Sequence, residues 1–287
     1  MRKVLSYEVS EIVPYINWLY FYHAWGLSGK PQEEKLHMQQ EASAMLAEWE
    51  GKYHTHAIFC LLDANSDGDD ILVFPRQGEC VRIPMLRQQH PSADGKPCLC
   101  LADFVRPLHP GEDSRKDAGL EKRDKIGVFC ATVDGTATDR YRKDEYQSML
   151  AQTLCDRLAE ATAERMHEEV RRKYWGYALD EQLTMEQTHR EQYQGIRPAV
   201  GYPSIPDTSV NFALDGLLDM KEVNIRLTET GMMTPHASVS GFMFAHPKSH
   251  YFELGKVGED QLRDYARRRG VPVEMMRRFL QSSLMKK

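Results

Sequence analysis

The chain reads as an α+β protein. Strand-like apolar runs cluster ahead of residue 134, and a long helical pattern follows over about 144–175. The two kinds of segment do not alternate as a doubly wound sheet would require. With 287 residues, 41% of them hydrophobic, the chain can bury one large core or two small ones. No internal repeat or low-complexity linker marks a division between two units.

The segments follow in order. Val13–Trp25 is rich in aromatic residues, which suits burial against the core or a platform for an aromatic ligand. Met38, Ala42, Met45, Leu46 and Trp49 recur at helical spacing, so 32–50 is expected to be an amphipathic helix. Strands are expected at about 55–62, 69–75, 79–84, 98–105 and 126–133. The polar stretch 107–124 reads as a loop. In the long helix, Leu150, Leu154, Leu158 and Ala161 form one stripe, widened by Ala159, Ala163, Met166 and Val170. That face is broader than a coiled-coil seam and suits packing on a sheet. A shorter helix is expected at 184–193 and another at 209–220. Residues 237–245 and 251–256 look like a hairpin closed by His246-Pro-Lys-Ser249. Two short helices, near 259–269 and 272–283, end the chain.

Charge and cysteine usage narrow the function. The balance of 37 basic and 42 acidic residues argues against a nucleic-acid binder. No apolar run reaches membrane-spanning length. Glu8 and Glu11 interrupt the region where a signal peptide would place its apolar core. The six cysteines fall mostly in apolar runs, which predicts buried reduced thiols and a cytoplasmic protein. Cys98 and Cys100 share a strand face, and His54 and His56 share another, yet neither pair has further ligands at metal-site spacing.

Several motifs carry two readings. Asp63-Ala-Asn-Ser-Asp67-Gly68 begins like a calcium loop, but Phe74 stands where a bidentate glutamate is required, so an acidic hairpin turn is expected. The residues around Gly270, with Arg267, Arg268 and Arg269 before it, fit either a helix-turn-helix or two packed helices with a solvated basic face. Asp156, Glu160 and Glu164 lie at i, i+4 and i+8 of the long helix, where like charges repel. They form either a solvated face or carboxylates aimed at a cation. No nucleophile elbow, phosphate loop, dinucleotide fingerprint or zinc-protease motif is present.

The segment Gly195-Ile-Arg-Pro-Ala-Val-Gly-Tyr-Pro-Ser-Ile-Pro206 is the most informative. Its three prolines fix φ, which makes the loop stiff and extended. Gly201 permits close backbone approach, Arg197 offers a permanent fork of donors, and Tyr202 adds an aromatic hydroxyl. Such a loop suits a flat ligand with a carboxylate; a proline-rich surface turn is the other reading.

The same loop resembles the R-P-A-x-G-Y-P loop of the activation domain of cobalamin-dependent methionine synthase. The resemblance runs through the whole chain. Tyr15-Ile-Asn-Trp18, Trp25-Gly-Leu-Ser-Gly-Lys30, Gly68-Asp-Asp-Ile71, Leu86-Arg-Gln-Gln89 and Cys100-Leu-Ala-Asp-Phe-Val105 are similar to its first half. Asp156-Arg-Leu-Ala-Glu160, Tyr174-Trp-Gly-Tyr177, Leu227-Thr-Glu229, Ala237-Ser-Val-Ser-Gly241, His246-Pro-x-Ser-x-Tyr251 and Asp264-Tyr-Ala-Arg-Arg268 are similar to its second. The last of these weighs against a helix-turn-helix.

The resemblance implies one C-shaped α+β domain over 1–287, built around a twisted antiparallel sheet flanked by helices. It implies binding of S-adenosylmethionine (AdoMet) and docking on a cobalamin-binding domain or subunit. There an electron from a flavodoxin-type donor and the AdoMet methyl group return cob(II)alamin to methylcobalamin. Carried over by residue, Arg197 is expected on the AdoMet carboxylate and Glu160 at the ligand's cationic end. The Ala199 and Gly201 backbone and Tyr251 should line the site. Tyr202 should face the cobalt as the catalytic residue, and Asp156 should contact the cobalamin domain. Asn17 departs from the family, which usually carries an aspartate against AdoMet there; the amide keeps an acceptor and loses the charge. The chain is expected to be inert alone and to hold no metal of its own. The alternative expectation is a non-catalytic AdoMet sensor or docking protein for a cobalamin enzyme. The family domain ordinarily ends a longer synthase, so the chain is either a separate subunit or a piece of one.

Overall fold

The computed structural model describes residues 1–90, 95, 97–108 and 123–285. At its centre is an antiparallel sheet of six strands: β1 (Arg2–Glu8), β2 (His54–Asp67), β3 (Asp70–Phe74), β4 (Val81–Pro84), β5 (Asp124–Val133) and β8 (Ser238–Met243). The order is β4-β3-β2-β5-β8. The 14-residue β2 organises it. Its first half pairs with β1 and its last five residues with β3, both along one edge, while β5 runs along the other. A small separate pair, β6 (Arg226–Leu227) and β7 (Met233–Thr234), sits between β5 and β8 in the chain.

Both faces of the sheet are covered, so its strands read as continuous apolar runs. Ala57, Phe59, Phe129 and Ala131 face one core, and Ile58, Leu62, Val128 and Cys130 face the other, as the two-residue period of a strand demands. On the first face lie α1 (Val9–Ile12), α2 (Trp18–Ala24), α3 (Gln32–Trp49) and the long α4 (Glu145–Glu169). The Asp144 side chain accepts from Gln147 N–H and starts α4. Leu150, Leu154 and Leu158 are fully buried against the sheet, and truncating any one to alanine would cost about 2–5 kcal/mol. The helix continues through a wider π-helical turn, Val170–Tyr174, closed by Trp175 N–H on the Val170 carbonyl. The short α5 (Met185–His189) follows, and α6 (Val210–Leu218) covers the second face. The last helices, α7 (Glu259–Arg269) and α8 (Val273–Phe279), form a third cluster with Leu86, Leu254 and Val257.

Three expectations are corrected. Residues 98–105 do not form a strand. Asp103 accepts from Cys100 N–H and is clamped by Arg87, which draws Leu101–Phe104 into a 3-10 turn. Residues 251–256 do not pair with β8 either. The free edge of β8 is taken by the proline loop: Ile196 pairs with Phe244 and Ala199 with Gly241. The basic run of α7 is solvated only in part: Arg267 is 73% exposed, whereas Arg268 bonds Asp264, Asp70 and the Met85 carbonyl, and Arg269 bonds Ser209. The N-terminal strand β1 was not anticipated. The acidic segment 63–74 is the expected hairpin, with Asp67 and Asp70 both bonded by Arg82. The loop expected at 107–124 lies almost wholly outside the described residues.

Candidate functional site

Two glycines let the proline loop lie flat on β8. A Cβ on Gly241 would stand 2.1 Å from the Pro198 carbonyl oxygen, and one on Gly195 would stand 2.3 Å from that of Phe244. Close approach is therefore met at Gly195 and Gly241. Gly201 has open space around it; its φ of +89° is what requires glycine, and its N–H donates to the Ile205 carbonyl to close the turn. The turn throws Tyr202 and Pro203 outward while Arg197 points in.

Between this loop and α4 lies a cavity of about 590 Å3, within the roughly 300–1,000 Å3 of small-molecule sites. It gathers Asn17, Glu160, Arg197, Ala199, Tyr202 and Tyr251 from four separate segments. Gly201 is not among its lining residues. Asp156 is also elsewhere, in a hollow beside Asp134 and His236, with 3.5 Å between its carboxylate and the His236 ring. The aromatic opening divides: Phe21 is buried in the core, while Tyr15 and Tyr20 line the cavity. Asn17 both lines the cavity and accepts from Leu19 N–H at 3.2 Å, capping α2.

Arg197 is the electrostatic centre. It is only 9% exposed. Its backbone N–H donates to the Tyr251 hydroxyl at 2.9 Å, which ties the two walls together. Its Nη2 donates to Glu164 at 3.0 Å, and its Nε has no partner among the described residues. Burial opposes the charge, but Glu164, with Tyr251, Tyr193 and Glu160, together outweighs it, so the guanidinium stays protonated. At the mouth, the half-exposed Tyr202 donates its hydroxyl to Glu160. Burial, reinforced by the Glu164 charge, raises the Glu191 carboxyl above its ordinary range.

Behind Arg197 lies a second guanidinium. Arg171, fully buried on the π-helical turn, makes a fork with Glu181 and bonds His167 Nδ1 at 2.9 Å. Burial, then the charges of Arg171 and Arg197, hold His167 far below its usual titration range. In the sequence Glu164 stands out only as part of an acidic stripe, and Tyr15 and Tyr20 only as members of an aromatic segment that suits core burial or a ligand platform. His189, at the end of a short helix, carries no distinctive pattern.

Comparison with known proteins shows the family. Residues 8–270 match the family described as "Vitamin B12 dependent methionine synthase, activation domain". Among solved structures the chain is similar to the crystal structure of the MetH reactivation domain bound to AdoHcy. The identity is 35% and the TM-score 0.89, and the match covers 100% of this chain and 91% of that one. A family match over residues 8–270, with a fold shared along the whole chain, places this protein in the family of vitamin B12 dependent methionine synthase activation domains.

Proposed function

We propose that the cavity binds AdoMet and that the chain serves reductive methylation of a cobalamin carried by a partner domain or subunit. The observation that carries this reading is Arg197, a buried guanidinium with an unpartnered donor in the wall of a cavity of suitable size. A buried donor without an acceptor costs about 1–3 kcal/mol, which a ligand carboxylate would offset. The MetH relative was crystallised with AdoHcy, which shares the amino-acid head and nucleoside of AdoMet.

In this reading Arg197 takes the carboxylate, while the Ala199 and Gly201 backbone and Tyr251 form the wall. Asn17 contributes an acceptor, and Glu160 serves the cationic end. AdoMet supplies an activated methyl group when bound. The chain orients it and excludes water. Among the described residues the lining carries neither a thiol nor a lysine amine, and the methyl acceptor in this reading is the partner's cobalamin. Tyr202 stands at the mouth, where it meets the partner's cobalamin, and Asp156, in its own hollow, contacts the cobalamin-binding domain. A flavodoxin-type protein supplies the electron. The whole assembly works in the cytoplasm, with residues 1–287 acting as one domain.

Calorimetry and a reconstituted methylation assay test this. The purified chain should bind one AdoMet and transfer no methyl group until a cobalamin-loaded partner and a reductant are added. Tyr202→Phe should leave AdoMet affinity within about threefold, under 1 kcal/mol, yet alter the methylation rate. Binding without any methylation in the complete mixture would leave an AdoMet sensor. Methyl transfer to another acceptor, with no cobalamin protein present, would sink the proposal.

A further inference from the structure

Glu164 stands between two buried guanidinium groups. Its Oε2 accepts from Arg197 Nη2 at 3.0 Å. Its Oε1 lies 3.8 Å from Arg171 Nη1 and has no hydrogen-bond partner among the described residues. The side chain is 12% exposed and belongs to the cavity lining. Arg171 cannot turn towards the cavity, because Glu181 and His167 already hold its three nitrogens. Glu164 is thus the counter-ion on which the orientation of Arg197 depends.

The lining as a whole is acidic. Among the described residues, Glu160, Glu164, Glu191 and Glu253 line it beside the cations Arg157 and Arg197 and the ring of His189, with Arg171 behind Glu164. Glu160 is engaged by the Tyr202 hydroxyl, and Glu164 lies one helical turn further along the same face. A carboxylate beside Arg197 weakens its pull on any ligand carboxylate, whatever else that ligand carries. The same carboxylate attracts a sulfonium and is indifferent to a neutral thioether.

We propose that Glu164 is a positioning residue that sets the charge preference of the cavity. It holds the Arg197 fork and keeps the lining negative, so the sulfonium form of the ligand is retained in preference to the thioether left after methyl transfer. This rests on the reading that the cavity takes an AdoMet-type ligand.

The test uses the full chain, calorimetry, and AdoMet and AdoHcy as probes. Glu164→Gln keeps the shape and an acceptor oxygen for Arg197 while removing the charge. The ratio of AdoMet to AdoHcy affinity should fall about fivefold or more, the size expected for losing one charge several ångströms away at a partly screened site. Loss of structural support alone would weaken both ligands together and leave the ratio unchanged; that result would overturn the proposal. Glu164→Asp keeps the charge on a shorter stem. It should weaken both ligands and hold the ratio within about twofold of the parent chain. A fall in its ratio as large as that expected for glutamine would also overturn the proposal, even if the glutamine variant fails to fold. A parent chain that binds neither probe removes the AdoMet reading itself, whereas binding with an unchanged ratio removes only the role of Glu164.

Discussion

Arg197 and Arg268 are both drawn into the protein, and they are finished differently. Every nitrogen of Arg268 is used: Nε bonds Asp264 at 2.7 Å, Nη1 bonds Asp70, and Nη2 bonds the Met85 carbonyl at 2.9 Å. Arg87 nearby is equally saturated, by Asp69, Asp103 and the Cys98 carbonyl. Arg197 is at least as buried, yet it has one carboxylate and an unpartnered Nε. A charge taken out of water is tolerated when its partners are complete. The saturated arginines pin α7 and the turn after Cys100 to the sheet. The unsaturated one is held by the Glu164 carboxylate and, among the described residues, leaves its Nε unpaired.

The comparison breaks most visibly at Arg268. Arg268→Ala leaves Asp70, 6% exposed, with Arg82 as its remaining partner. Stability should drop by about 3 kcal/mol, the scale for removing one partner of a buried pair, with AdoMet affinity unchanged. Urea unfolding and calorimetry on the same preparation read both quantities. Arg197→Ala should behave in the opposite way. Affinity should fall by about 1.5–3 kcal/mol, the range for a hydrogen bond to a charged group, and stability should fall less than in Arg268→Ala. If the two variants lose stability alike and ligand binding is untouched, saturation does not separate the roles.

Acid sharpens the contrast. His167 is fully buried, and burial first, then Arg171 and Arg197, keep it neutral well below its usual range. The unfolded chain takes up that proton near pH 6.5 and the folded chain does not. The unfolded state then binds more protons, so stability is complete above about pH 6.5 and declines as pH falls below it. One proton gives at most about 1.4 kcal/mol per pH unit. Asp264, in the saturated cluster, is held below the ordinary carboxylate range by Arg267 and Arg268, so that cluster should hold to lower pH. Urea midpoints at several pH values should show the decline, and His167→Gln should flatten it; an unchanged slope in that variant would clear His167.

The smallest effect is expected at Asn17. Asp caps a helix as well as Asn does, so Asn17→Asp should preserve α2 while adding negative charge to the cavity. AdoMet should bind a few-fold more tightly, a gain of under about 1 kcal/mol. No change in calorimetry would place Asn17 out of reach of the ligand's charge.

Much of the fold was legible because it obeys local periods. The helix expected at 32–50 is Gln32–Trp49, and the stripe through Leu150, Leu154 and Leu158 does pack on the sheet. The Phe74 argument correctly made 63–74 a hairpin. The errors fall where a side chain or a strand edge had two possible partners. Asp103 closed a turn on Cys100 in place of a strand, and the proline loop took the edge of β8 that residues 251–256 were expected to fill. Strand pairing is a competition between distant segments, and nothing within 237–256 records the competitor.

By itself the sequence determined the rigid loop with its arginine, the broad apolar face of α4, the acidic stripe on that helix, and a family resemblance over the whole chain. Those are properties of neighbouring residues, set by proline φ, glycine freedom and the 3.6-residue helical period. Tertiary structure alone decided that Glu164 would sit 3.0 Å from Arg197 and within 4 Å of Arg171, and that Gly241 rather than Gly201 would admit the loop. It also decided that one arginine would be saturated and the other not. Burial and pairing depend on which segments meet, and residues 33 positions apart have no local period to announce their contact.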